Sequence, residues 1–173
     1  MSNSKNESLE QIVSAHLAEM LRFATRLTGN PEAAEEVVQE AMVRVVRSWN
    51  SFRYEAQTAT WLKRIVINVF RDWAAGKPAA ESIGPDFQDL RAANPAAQAL
   101  TGELGRLIAA RVSALPPRQR EVLVLIAYEG LSVEEVANVL DIRPANVHAT
   151  LHAARRSLRI GLAPYLRETT HEK

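Results

Sequence analysis

Around one loop and the helix after it the chain sets the aromatic residues Trp49, Phe52, Tyr54, Trp61 and Trp73 among four cations, Arg53, Lys63, Arg64 and Arg71. Aromatic faces stack on unpaired bases for about 1 to 3 kcal/mol each while cations hold the phosphate backbone, so this mixture suits a single strand of DNA. Trp49 and Trp73 continue the apolar faces of helices and read better as core. The candidate contacts are the loop residues Phe52, Arg53 and Tyr54, with Trp61, Lys63, Arg64, Asn68 and Arg71 on the helix that follows.

A second concentration of charge lies near the other end. Residues 143–160 hold four arginines, two histidines and no acid. They belong to a short helix, tight turn and longer helix, the arrangement that lays a recognition helix in the DNA major groove. Asn146, His148, Thr150, His152, Arg155 and Arg156 lie mainly off its apolar face and are the candidate contacts to duplex DNA; an ordinary helix pair with a solvated basic face is the plainer alternative. A third surface is acidic. Glu32, Glu35, Glu36, Gln39 and Glu40 lie beside the apolar face of one helix and would repel DNA, so a protein partner fits them, with Glu36, Gln39 and Glu40 the candidate contacts. Complementing the helix dipole explains Glu32 and in part Glu35, and Gln39 and Glu40 less well.

Enzyme chemistry finds little to work with. There is no phosphate-binding glycine loop and no thiol, and the carboxylates form no pair that the pattern places in a cleft. His148 and His152 stand one helical turn apart, but among arginines and alanines they suit DNA or solvent better than a metal. No catalytic residue, metal or cofactor is expected.

These surfaces need helices to carry them, and the apolar spacing supplies seven. Leu9, Ile12, Val13, Leu17, Met20, Leu21, Ala24 and Leu27 outline the first, ending at Thr28-Gly29-Asn30. Asn30 caps the second, with Pro31 at its first position and Ala34, Val37, Val38, Ala41, Met42, Val45, Val46 and Trp49 inward. A loop over 50–58 precedes the third, which turns Leu62, Ile65, Val66, Val69, Phe70 and Trp73 to the core and ends at Gly76-Lys77-Pro78. Residues 76–97 are rich in Ala, Pro, Asp and Gly without a sustained period and read as a linker. Leu100 to Leu115 forms a fourth helix, broken by Pro116-Pro117, and Arg118 to Tyr128 a fifth. Ser132 and Glu135 make a capping box for a sixth that runs to about Leu140, and Pro144 opens the seventh, with Val147, Leu151, Ala154 and Leu158 inward. No strand pattern competes. The expected fold is all-α: two small helical domains, 1–75 and 98–162, a flexible linker 76–97 between them, and a tail 163–173.

Bulk composition agrees. A 47% hydrophobic content over 173 residues is ample for one or two cores, and the absence of cysteine excludes a disulfide framework. The net charge of +1 means that any DNA-binding surface must come from segregation of charge. No run of about 18 apolar residues and no leader pattern occurs, so no membrane insertion is expected.

Three blocks then resemble a known family. LRFATRLTGNPEAAEEVVQEAMVRVVRSW, SFRYEAQTATWLKRIVINVFRDW and LPPRQREVLVLIAYEGLSVEEVANVLDI with the following LHAARRSLR are similar, in order and spacing, to regions 2 and 4 of extracytoplasmic-function (ECF) sigma factors, the smallest sigma-70 class. The resemblance implies a bacterial, cytoplasmic alternative sigma factor whose partners are core RNA polymerase and promoter DNA, commonly with an anti-sigma factor. It implies that the helix with Glu36, Gln39 and Glu40 docks on the clamp coiled coil of the largest polymerase subunit. The segment from Phe52 to Arg71 would capture flipped bases of the -10 element, the seventh helix would read the -35 element, and the linker would run towards the RNA exit path. Where relatives read like EGTVKSRLHRAR this recognition helix reads PANVHATLHAAR, so His148, Thr150 and Ala153 stand in places of expected cations and phosphate anchoring should be weaker. Set beside these readings is a helix-turn-helix regulator that works without being a polymerase subunit.

Overall fold

A computed structural model describes residues 9–52, 58–76 and 95–168, and among them every regular element is a helix. Three helices come first: α1 (Leu9–Thr28), α2 (Pro31–Ser48), which runs into a single 3-10 turn (Trp49–Ser51), and α3 (Thr58–Gly76). Four follow: α4 (Pro95–Ser113), α5 (Pro117–Ala127), α6 (Val133–Leu140) and α7 (Pro144–Glu168).

Local chemistry sets most of the boundaries. Gly29, at φ 74, turns the chain out of α1 in the left-handed region that glycine tolerates best. The Asn30 side chain then accepts a hydrogen bond from the Ala33 amide at 3.1 Å and starts α2, with Pro31 at its first position. The capping box of α6 is complete: Glu135 N–H donates to Ser132 Oγ at 3.2 Å, and Ser132 N–H donates to the Glu135 carboxylate at 2.7 Å. Hydrogen bonding from Ser132, its backbone N–H first, holds the Glu135 carboxyl below the usual range. Asp141, in the left-handed conformation at φ 53, closes α6, and Pro144 opens α7.

The core is continuous through both groups of helices. Phe23, Leu27, Val37, Val45, Leu62, Val66 and Phe70 of α1–α3 join Val112, Leu115, Val122, Leu125, Val136, Val147 and Leu151 of α4–α7 in a single apolar cluster. At the seam the two backbones come close: a Cβ on Gly29 would lie 2.5 Å from the Ser113 Cβ.

Four details differ from the sequence pattern. Leu17 and Val46, expected inward, are 39% and 57% exposed, because the buried stripe of α2 runs through Ala34, Val37, Val38, Ala41 and Val45 and leaves Val46 past its edge. Ile67, absent from the expected core, is buried. Helix α7 continues to Glu168 through Pro164, where a tail from 163 was expected. Packing on α4 holds it: Arg111 lies over the Tyr165 ring at 5.7 Å and donates to its hydroxyl at 3.4 Å, with Gly161 against the Arg111 side chain. Helix α4 begins at Pro95, so the last residues of the expected linker are helical, and residues 77–94 of that linker lie outside those described.

Candidate nucleic-acid and polymerase interfaces

Phe52, Trp49 and Trp61 form one aromatic cluster where the 3-10 turn meets the start of α3. Phe52 lies 4.3 Å from Trp61 and 5.8 Å from Trp49 between ring centroids, and it is 9% exposed. A ring held this way packs the 3-10 turn against the start of α3, and Trp61 and Trp49 are the partly exposed members. Arg53 and Tyr54, also singled out from the sequence, lie outside the described residues.

Helix α3 places Lys63, Arg64, Asn68 and Arg71 off its buried stripe, Leu62, Val66, Ile67, Val69 and Phe70. Arg64 and Asn68 are exposed, and Lys63 and Arg71 are half-buried. All three cations are occupied. Lys63 Nζ lies 2.6 Å from Glu19 and 3.3 Å from Glu129. Arg64 donates to the Asn138 carbonyl at 2.5 Å. Arg71 makes a two-pronged pair with Glu121, both hydrogen bonds at 2.8 Å, and Glu121 holds the Arg71 guanidinium above its ordinary pKa. The hydrogen bond from Lys63 in turn keeps the Glu19 carboxyl below the usual range.

On α2, Glu36, Gln39 and Glu40 are exposed, and the same helical face continues through Val43 and Val46, 41% and 57% exposed. Acids and an amide thus sit beside two bare valines. Glu40 pairs with Arg44 at 3.1 Å, and Arg44 bridges to Asp72 of α3 at 2.8 Å, which fixes α2 against α3 at the edge of this face.

On α7, Val147, Leu151 and Ala154 are buried. Asn146, His148, His152, Arg155 and Arg156 are exposed and Thr150 is half-buried, with Arg143 and Arg159 extending the exposed row of cations. Helix α6 packs across α7, and Val136, Ala137, Val139 and Leu140 supply its buried face. The pair has the form of a helix-turn-helix. Among the described residues no group of three or more His, Cys, Asp or Glu is placed to hold a metal ion.

Two family models match this chain: Sigma-70 region 2 over residues 12–77 and Sigma-70, region 4 over residues 105–158. The ECF RNA polymerase sigma factor SigE of Mycolicibacterium smegmatis is 32% identical over 166 residues, covering 94% of this chain and 64% of that protein. The RNA polymerase sigma-E factor of Streptomyces avermitilis is 28% identical over 92% of this chain and 87% of its own length. The chain is an ECF sigma factor of the sigma-70 family.

Solved structures share the fold of this sigma factor. The sigma factor RpoE of Bartonella quintana, solved with the anti-sigma factor NepR, aligns at TM-score 0.68 and 20% identity over 89% of this chain and 96% of that one. CnrH, solved with the cytosolic domain of CnrY, aligns at 0.65 and 24% identity over 90% and 87%.

Sequence reading missed the residues that join the two halves of this sigma factor. Glu121 and Glu129 pair with cations of α1 and α3, and Arg120 spans the seam, donating to the carbonyls of Leu27, Ser113 and Leu115. Glu121 did carry a signal: it sits directly before the apolar run Val122 to Ile126, where a lone acid needs a buried partner.

Proposed function

We propose that the chain binds core RNA polymerase through the outer face of α2, contacts the -10 element through α3 and the aromatic cluster before it, and places the -35 element on α7. The domains of that reading are 1–75 and 98–162. The observation that carries it is the face of α2. Glu36 and Glu40 repel phosphate while Gln39 and the bare Val43 and Val46 stand beside them, which suits a protein surface, in a chain whose α3 and α7 both carry cations. A helix-turn-helix regulator acting alone leaves that face without a use.

In this reading the protein works without catalysis of its own, in the bacterial cytoplasm, and promoter choice comes from contacts alone. No helix among the described residues is long and apolar enough to cross a membrane. An anti-sigma factor, as in the structure of the Bartonella protein with NepR, is a further proposed partner.

The test is a double substitution, Glu36→Lys with Gln39→Lys, read by equilibrium binding to core polymerase and, separately, to promoter duplex. Core affinity should fall by at least tenfold with the folded state and DNA affinity retained. Unchanged core binding by the folded variant would remove α2 from the docking surface.

A further inference from the structure

The cations assigned to the -10 strand are spoken for within the chain. Lys63, Arg64 and Arg71 of α3 all reach the second group of helices, at Glu129, the Asn138 carbonyl and Glu121 respectively. The two acids stand at opposite ends of α5, Glu121 in its first turns and Glu129 just past its last residue. Their side chains are 1% and 7% exposed, so each is a desolvated carboxylate held by cations rather than a solvated surface acid. Glu129 takes a second cation, Arg26 of α1 at 2.9 Å, which also lies over the Tyr128 ring at 5.1 Å. Glu121 has Arg118 at 3.5 Å in addition to Arg71.

A carboxylate and a phosphate ester make the same demand on a guanidinium: two oxygens in a plane facing a two-pronged donor. A DNA strand therefore cannot take Arg71 while Glu121 holds it, nor take Lys63 without displacing it from Glu129. Because the acids belong to α5 and its end, freeing Arg71 requires α5 to leave α3, and Lys63, which also lies 2.6 Å from Glu19 of α1, must in addition release that acid.

Resting on the assignment of α3 to the -10 strand, we propose that Glu121 and Glu129 act as an internal stand-in for the DNA backbone and hold the free sigma factor closed and autoinhibited. The α3 surface becomes available when α5 swings away. A chain with binding-competent fraction f binds with an apparent Kd raised by 1/f, so removing the latch tightens strand binding without a new contact to the strand.

Two variants of the full chain test this. Glu121→Gln with Glu129→Gln removes the acids. Arg26→Glu puts a negative charge beside Glu129 and adds an acid to the first group of helices, a change that would by itself weaken DNA binding. The chain has no cysteine, so donor and acceptor dyes go on Glu35→Cys of α2 and Arg106→Cys of α4, both exposed, and energy transfer reads the separation of the two groups. The DNA probe is a fluorescent random-sequence 12-nucleotide single strand. Both variants should lose energy transfer, keep their helical circular dichroism, and bind the strand about tenfold or more tighter than the parent. Unchanged energy transfer and unchanged strand binding in the folded variants would overturn the latch and leave the α3 assignment standing. Opening with no gain in strand binding would overturn both, because α3 would then be exposed and still not hold DNA.

Discussion

Arg120 offers the sharpest quantitative test of how the two groups of helices are joined. Arg120 is 9% exposed, and its guanidinium donates to the Leu27 carbonyl at 2.6 Å, the Leu115 carbonyl at 2.9 Å and the Ser113 carbonyl, so it closes the ends of α1 and α4 at once. Three charge-assisted hydrogen bonds contribute about 1.5 to 3 kcal/mol each. Against them stands desolvation: burial brings the Arg120 pKa down to about 10, with Glu121 opposing the shift, and that lowering corresponds to a cost of about 3 kcal/mol. The buried Nε has no hydrogen-bond partner and costs about 1 kcal/mol more. The balance favours the folded state by roughly 0.5 to 5 kcal/mol. Arg120→Met keeps an apolar stem and removes the bonds, together with the guanidinium that lies over the Phe70 ring at 5.6 Å, so it should lose an amount in that range in urea unfolding, a midpoint shift of up to about 2 M. Arg120→Lys should fall between, since one ammonium cannot serve three carbonyls in a fork. A loss below about 0.5 kcal/mol for Arg120→Met would refute the reasoning, because the hydrogen bonds would then do no more than repay the burial.

Gly29→Ala should destabilise by about 2 to 3 kcal/mol, from a left-handed φ of 74 and a Cβ 2.5 Å from that of Ser113. Adding Ser113→Gly should return the steric part and leave about 1 kcal/mol, as denaturant melts of the single and double variants will read. Glu19, its pKa lowered by Lys63, contributes stability that is fully present above the ordinary carboxylate value of 4.5 and is lost as pH falls through the lower folded one. Glu19→Gln should therefore melt below the parent at neutral pH, by less than about 1 kcal/mol because the carboxylate is 40% exposed, and converge with it in strong acid. On α7, Arg155→Ala and Arg156→Ala should each lower the slope of log K against log salt by about one unit in a duplex-binding titration.

What could be read from the residues alone was whatever depends on near neighbours. Asn30-Pro31 and Ser132 with Glu135 mark helix starts by local hydrogen bonds, and the structure makes those bonds. The apolar periods placed Val66, Phe70 and Val147 inside. The partner of Glu121 was out of reach, because Arg71 lies 50 positions away. Phe52 illustrates the same limit: its residue type fits a base platform, but contact with Trp61 turns it into the cluster. Helix α7 outruns its own pattern because Arg111 on α4 holds Tyr165 beyond Pro164. Local chemistry wrote the elements, and long-range ion pairs decided which charged faces are open.

The central claim is tested most directly by adding the purified protein to core RNA polymerase and sequencing the transcripts from a genomic promoter library. A promoter-specificity subunit should give a discrete set of start sites, sharing -10 and -35 sequences, that core enzyme alone does not produce. Absence of specific initiation, in a reaction where an established sigma factor succeeds with the same core, would contradict the account.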